Sequence, residues 1–159
     1  MEETVKKDGV LSVETLPVLP NSFPYNELLL SGKLSAKTRE WRWKHTGLTL
    51  LYTSQSTEQK VADVHDLDPR DFPRGVIVGI GELLPVRENT AEEMSRIENE
   101  FANGNDELFP QAGPYRYEFR NLKRFPKPIS FSWPRGAIRM CNVPVSLVAP
   151  ALKQLGIKL

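Results

Sequence analysis

Residues 26–54 read NELLLSGKLSAKTREWRWKHTGLTLLYTS, and the fold of the chain is decided there. Pro24 stands just before this stretch. Proline fits the first turn of a helix, because its missing N–H is one of the donors that a helix start leaves unpaired. Leu28, Leu29 and Leu30 supply the buried side of that helix, and Gly32 fits its C-terminal cap. Past the cap the chain turns basic: residues 33–44 hold five Lys/Arg against one Glu, a net of +4. Trp41 and Trp43 share a parity, so an extended backbone points both rings the same way. GLTLLYT at 47–53 then reads as a strand.

Working outward, GVIVGIGELL at 75–84 is β-branched and nearly uncharged, as a strand buried on both faces requires. Its Gly79 and Gly81 suit a bulge or a bend at the corner of a small barrel. Residues 90–103 predict an acidic amphipathic helix, capped by Asn89 or Thr90, with Glu92 and Glu93 in its first turn. Tyr115, Tyr117 and Phe119 alternate with Arg116, Glu118 and Arg120 in a strand over 115–122. Shorter strands are expected at 129–131 and 137–141, and a closing helix at 145–155, interrupted or kinked at Pro150. Residues 1–20 lack periodicity and contain Pro17 and Pro20, which reads as a flexible N-terminal arm; residues 21–159 are of a length for one domain with its own core. Thirteen prolines favour short strands and fixed turns over a helix bundle.

Charge is sorted into blocks although the whole chain is nearly neutral at +1. Residues 116–139 carry seven Lys/Arg against one Glu, a net of +6, whereas residues 58–107 carry thirteen acids against five bases, a net of −8. Both basic blocks interleave aromatic residues, and positive charge beside stackable rings suits phosphates and exposed bases. Lys33, Lys37, Arg42, Lys44, Arg120, Arg124 and Arg135 are candidate phosphate contacts. Arg39 can grip a phosphate in bidentate fashion or pair with an acid such as Glu82. Trp41 is a stacking or core residue, and Trp133, in a Trp-Pro-Arg-Gly loop, is a stacking candidate. The two basic blocks are expected on one face, with the acidic helix away from it.

Other chemistries are poorly supplied. The lone Cys141 excludes an intramolecular disulfide and a Cys-based zinc site, and its apolar surroundings predict a buried, inert thiol. His45 and His65 stand far apart, and Asp66 and Asp68 lack the glycine and terminal glutamate of a calcium loop, so no metal and no cofactor is expected. No apolar run approaches the roughly 20 residues of a membrane span, and MEETVKKDG is not a signal peptide; a cytoplasmic protein is expected.

Three segments resemble the ASCH domain of the PUA-like superfamily: residues 26–54, FPRGVIVGIGELLPVRE at 72–88 and YRYEFRNLKRFPKPISFSWPRGAIRM at 115–140. The resemblance implies an α+β fold, a small PUA-like (ASCH-type) β-barrel decorated by two or three α-helices. On the family signature G-x-K-x-x-E-x-R, Gly32 and Arg39 match, but Leu34 stands at the lysine position and Lys37 at the glutamate position. Some ASCH-like amidohydrolases draw a catalytic lysine and threonine from this motif. Leucine cannot move a proton, so that mechanism is not carried over and no catalytic residue is assigned. The expected function is therefore binding of RNA, another nucleic acid or a nucleotide. The alternatives are a small amidohydrolase-like enzyme acting on a modified nucleoside, and a regulatory domain that meets a protein partner through the acidic residues 89–107.

Overall fold

The computed structural model describes residues 3–5, 11–102 and 113–159. Its centre is a seven-stranded mixed sheet built on β5 (Gly47–Thr57), which pairs parallel with β3 (Thr15–Phe23) and antiparallel with β6 (Val76–Leu83). Beyond β6 lie the long β8 (Tyr115–Ser130) and then β4 (Ala36–Arg39); beyond β3 lies β9 (Cys141–Pro144). The two-residue β7 (Arg87–Glu88) pairs with the start of β8. Near the N-terminus, β1 (Glu3–Val5) and β2 (Leu11–Val13) form a separate antiparallel pair. Among the described residues there are four α-helices: α1 (Tyr25–Leu30), α2 (Gln59–Val64), α3 (Ala91–Ala102) and α4 (Val145–Gln154).

The α+β class, the burial of β6 on both faces and the strand at β8 agree with the sequence, but the sheet is not closed into a barrel. Closure needs a continuous ladder between the first and last strands. Here the ends are two four-residue strands, β4 and β9, which do not pair. Across the open seam, Arg39 Nη2 donates to the Pro20 carbonyl of β3 at 2.9 Å. A side chain spans the gap that a strand ladder would have filled.

Residues 15–20, expected to end a flexible arm, are strand instead, and residues 1, 2 and 6–10 of that arm lie outside the described residues. Two prolines fit β3 because each sits in only one ladder. Pairing with β5 begins at Val18, after Pro17; pairing with β9 stops at Val18, before Pro20. Neither proline is asked to donate on both sides. The separate strands expected at 115–122 and 129–131 are one strand, β8, whose register slips opposite β6 at 77–79 and 80–82. Asn121 absorbs one irregularity at φ 53°, which asparagine tolerates. Pro126 and Pro128 fall in the larger slip, between Arg124 and Ile129, where no ladder partner is demanded. Gly79 and Gly81 sit at these slips as expected. A Cβ on Gly79 would stand 2.5 Å from the Lys123 carbonyl. The strand expected at 137–141 is displaced to 141–144, and α4 runs through Pro150 without interruption. Helix α2 went unread because its six residues are too few to show a period.

The main core joins Leu16, Val18, Leu50, Tyr52, Ile77, Ile80 and Phe125 of the sheet to Val148 and Leu152 of α4. Cys141 is buried beside it, and burial pushes the thiol up to about 11, as an inert thiol requires. The acidic helix is anchored by its first turn: Glu93 accepts from Arg87 Nη1 at 2.7 Å and from the Thr90 backbone N–H at 2.8 Å, and lies 3.2 Å from Arg116. The Arg87 bond first, then the Thr90 bond and the Arg116 charge, hold its carboxyl down at about 2. Residues 103–107, the end of the expected partner-binding surface, lie outside the described residues. No helix is long and apolar enough to cross a membrane among the described residues.

Candidate nucleic-acid interface

The segment after β4 alternates: Trp41, Trp43 and His45 are half-buried, while Arg42 and Lys44 between them are exposed. This period of two is what the shared parity of the tryptophans predicted. The rings form a ladder. Tyr117 and Trp41 have centroids 5.5 Å apart, Trp41 and Trp43 5.7 Å, and Trp43 and His45 4.7 Å. One side of the ladder packs on Leu19, Leu83 and Val86. The Tyr117 hydroxyl donates to the Trp41 carbonyl at 2.7 Å and fixes the segment to β8.

The loop over 131–140 supplies the opposite wall. Trp133 Nε1 donates to the Ala137 carbonyl at 2.5 Å, which closes the loop, and Gly136 takes a φ of 89° that favours glycine. Arg139 then returns over the ring ladder, its guanidinium 5.5 Å from the Trp41 centroid. Between the walls lies an open groove of about 820 Å³ lined by residues 41–44 and 136–140. Parts of both basic blocks therefore meet at one surface. The first turn of the acidic helix is on the other side of β8: Glu93 meets Arg116, whereas the neighbouring Tyr117 meets Arg39 and Trp41.

Behind Tyr117 lies a second, smaller cavity of about 270 Å³ at the seam of the sheet, bordered by Asn21, Ser22, Tyr25, Lys37, Arg39 and Glu58. Arg39 is held by Asn21, which bonds Asn26 at 2.8 Å; Asn26 in turn bonds Thr53 at 3.0 Å. Arg39 Nε is buried without a hydrogen-bond partner, and burial lowers the guanidinium to about 10. Lys37 Nζ lies 4.4 Å from the Tyr25 ring centroid. Burial, seconded by Arg39, pushes this ammonium down to about 8 against the pull of Glu58. Burial raises the Tyr25 phenol, with the Glu58 charge adding to it.

The candidates named from sequence thus divide. Trp41, Arg42 and Lys44 line the groove; Lys37 and Arg39 line the seam cavity. Lys33 and Arg135 are exposed outside both linings. Arg120 is paired with Glu82 at 2.8 Å, so Glu82 is Arg120's partner and not Arg39's. Arg124 grips Glu27 with both Nη atoms, at 3.1 and 2.7 Å. Trp133 packs on Tyr52 with centroids 5.0 Å apart and joins the main core, so its ring is occupied in holding the loop. Arg139, Tyr25 and Glu58 were not singled out from sequence. Arg139 belonged to a basic block, but nothing local distinguished it from its neighbours. A further depression of about 910 Å³ is lined by Asp63, Asp66, Asp68 and Asp71 with Arg70 and Arg74. No group suited to a metal ion occurs among the described residues.

Comparison with solved structures identifies the architecture. The ASCH protein of Zymomonas mobilis superposes with a TM-score of 0.53 at 13% identity, over 87% of this chain and 94% of that one. The chain has the ASCH fold. Two variants of the same Zymomonas mobilis protein agree: a serine-to-alanine variant at TM-score 0.50 and 10% identity, and a tyrosine-to-phenylalanine variant at 0.50 and 9%. They cover 87% and 86% of this chain, and 94% and 96% of their own. No family model matches the sequence, and no curated protein matches it. The ASCH architecture is thus carried by geometry at 9–13% sequence identity.

Proposed function

We propose that this ASCH-fold chain binds single-stranded RNA in the groove between Trp41 and Arg139, and acts as a recognition module. The observation that carries this reading is the meeting of the two basic blocks, Arg139 of the later over Trp41 of the earlier. Arg42 and Lys44 are exposed and lack a carboxylate partner among the described residues, unlike Arg120 and Arg124. Cations already tied to carboxylates have less to gain from a phosphate, so the uncommitted ones are the contacts. Unpaired bases stack on aromatic rings, and flanking cations hold the backbone. Lys33 and Arg135, both exposed, extend the same positive field.

The test is fluorescence anisotropy with a mixed-sequence single-stranded RNA across a salt series. Three phosphate contacts give a slope of about −2 in log affinity against log salt, at roughly 0.7 per contact. Absence of binding at low salt overturns the reading.

A second reading, a hydrolase acting on a modified nucleoside, is favoured by one observation. Lys37 lies in a cavity with its ammonium lowered to about 8, so part of it is unprotonated near neutral pH and able to accept a proton. Leu34, at the signature lysine position, is only 6% exposed within an apolar cluster and has no such role. Incubation with a panel of acylated nucleosides tests this; turnover abolished by Lys37→Met supports it, and complete inertness rejects it.

A further inference from the structure

Ile138 stands at the lip of the groove with 89% of its surface exposed, far more than Val64, Leu147 and Leu159, the other exposed large apolar residues among the described ones. It is not on a loose tip. Before it, the Ala137 carbonyl accepts the Trp133 indole N–H; after it, Arg139 covers Trp41. The loop is closed by a hydrogen bond immediately before it, and a β-branched side chain adds little freedom of its own. Resting on the RNA-binding reading above, we infer that Ile138 is a wedge that enters between two neighbouring bases of the bound strand.

Three features support this. An aliphatic side chain presented rigidly beside cations is the device that separates stacked bases in other nucleic-acid complexes. The cations are in place, since Arg139 adjoins the wedge while Arg42 and Lys44 lie across the groove. No carboxylate lines the groove, so its charge complements a polyanion and not an acidic-and-basic protein surface. Bases parted by Ile138 can then settle on the Trp41–Trp43 ladder.

The experiment uses the full chain and a single-stranded RNA carrying one 2-aminopurine, whose fluorescence rises when it is unstacked. Saturation with the wild type is expected to raise the signal. Ile138→Ala is expected to abolish the rise and weaken binding roughly five- to tenfold through lost apolar contact, with the salt slope unchanged; Ile138→Leu should restore both. Ile138 is too exposed for these changes to unfold the protein. Tight binding by the wild type with no rise, or an equal rise with Ile138→Ala, overturns the wedge and leaves the RNA-binding reading standing. No binding by the wild type overturns both. Sedimentation and anionic-vesicle binding complete the test. A dimer or a vesicle complex lost in Ile138→Ala, with RNA affinity intact, reassigns the residue to a protein or lipid contact and overturns the wedge.

Discussion

The Arg139 guanidinium lies 5.5 Å from the centroid of the Trp41 ring, so a cation of the last loop caps an indole that follows β4. A cation–π contact of this kind is worth about 0.5–1 kcal/mol where solvent reaches it. That is enough to hold the arginine over the ring in the free protein. It is too little to withhold it from a phosphate, whose charge-assisted hydrogen bonds are stronger. Arg139 is therefore poised both to order the groove and to release to a ligand.

Arg139→Ala should accordingly weaken single-stranded RNA binding and make the salt slope shallower by close to one phosphate contact. Lys44→Ala should change the slope similarly. Arg124→Ala, which breaks a pair with Glu27 outside the groove, should leave the slope as it is. Anisotropy titrations at several salt concentrations check all three; equal effects from Arg139 and Arg124 would show a diffuse positive field with no defined groove.

Trp133→Ala should cost stability directly, and affinity only through the loop that the indole closes. The indole packs against Tyr52 and Phe131 and bonds Ala137, so its removal leaves a void at the edge of the main core. The expected loss is about 2–4 kcal/mol, somewhat under the range for a fully buried tryptophan. Urea denaturation measures it, and RNA affinity of the folded fraction should fall as well, because the loop that presents Ile138 and Arg139 loses its closing hydrogen bond; unchanged stability would place the indole outside the core.

The legible parts of the sequence were those with a strong local pattern. The apolar run around Val78 and the alternation at Tyr117 each reported a strand, and the shared parity of Trp41 and Trp43 reported that both rings of the segment after β4 face the same way. What escaped depended on partners distant in the chain. Pro17 and Pro20 argued against a strand locally, yet staggered neighbours on the two sides of β3 admit them. Trp133 was indistinguishable from a stacking residue until Tyr52 was beside it. Lys37 looked like one more surface cation, although the seam of the sheet buries it to 8% exposure. Local pattern cannot reveal which charges a tertiary contact removes from water.

Gly79→Ala should destabilise the protein although alanine is small. The added methyl would stand 2.5 Å from the Lys123 carbonyl, a backbone atom on a neighbouring strand that cannot rotate away. Overpacking of this kind costs about 1–3 kcal/mol. Gly32→Ala is the contrast: its Cβ meets nothing within 4 Å, so any penalty comes from the φ of 79° alone. Thermal denaturation of the two variants separates a clash from a backbone preference, and a silent Gly79→Ala would contradict the register at this bulge.

The last prediction concerns pH and the seam cavity. In the folded protein Lys37 titrates near 8, while in the unfolded chain it returns to its ordinary 10.5. Between those values the unfolded state binds more protons than the folded one, so stability rises with pH across that window. Below about 8 the cost of burying the ammonium is present in full, and by about 10.5 it has been relieved. Lys37→Met removes this titration. The stability of the wild type relative to Lys37→Met should therefore climb as pH is raised from 8 to 10.5 and stay level from 6 to 7. Because only the change with pH is read, any constant effect of the substitution on packing or on Glu58 drops out of the comparison. Paired urea denaturations at several pH values measure the difference, and a flat difference across the window would mean that Lys37 is solvated and the cavity is not the confined site described for it.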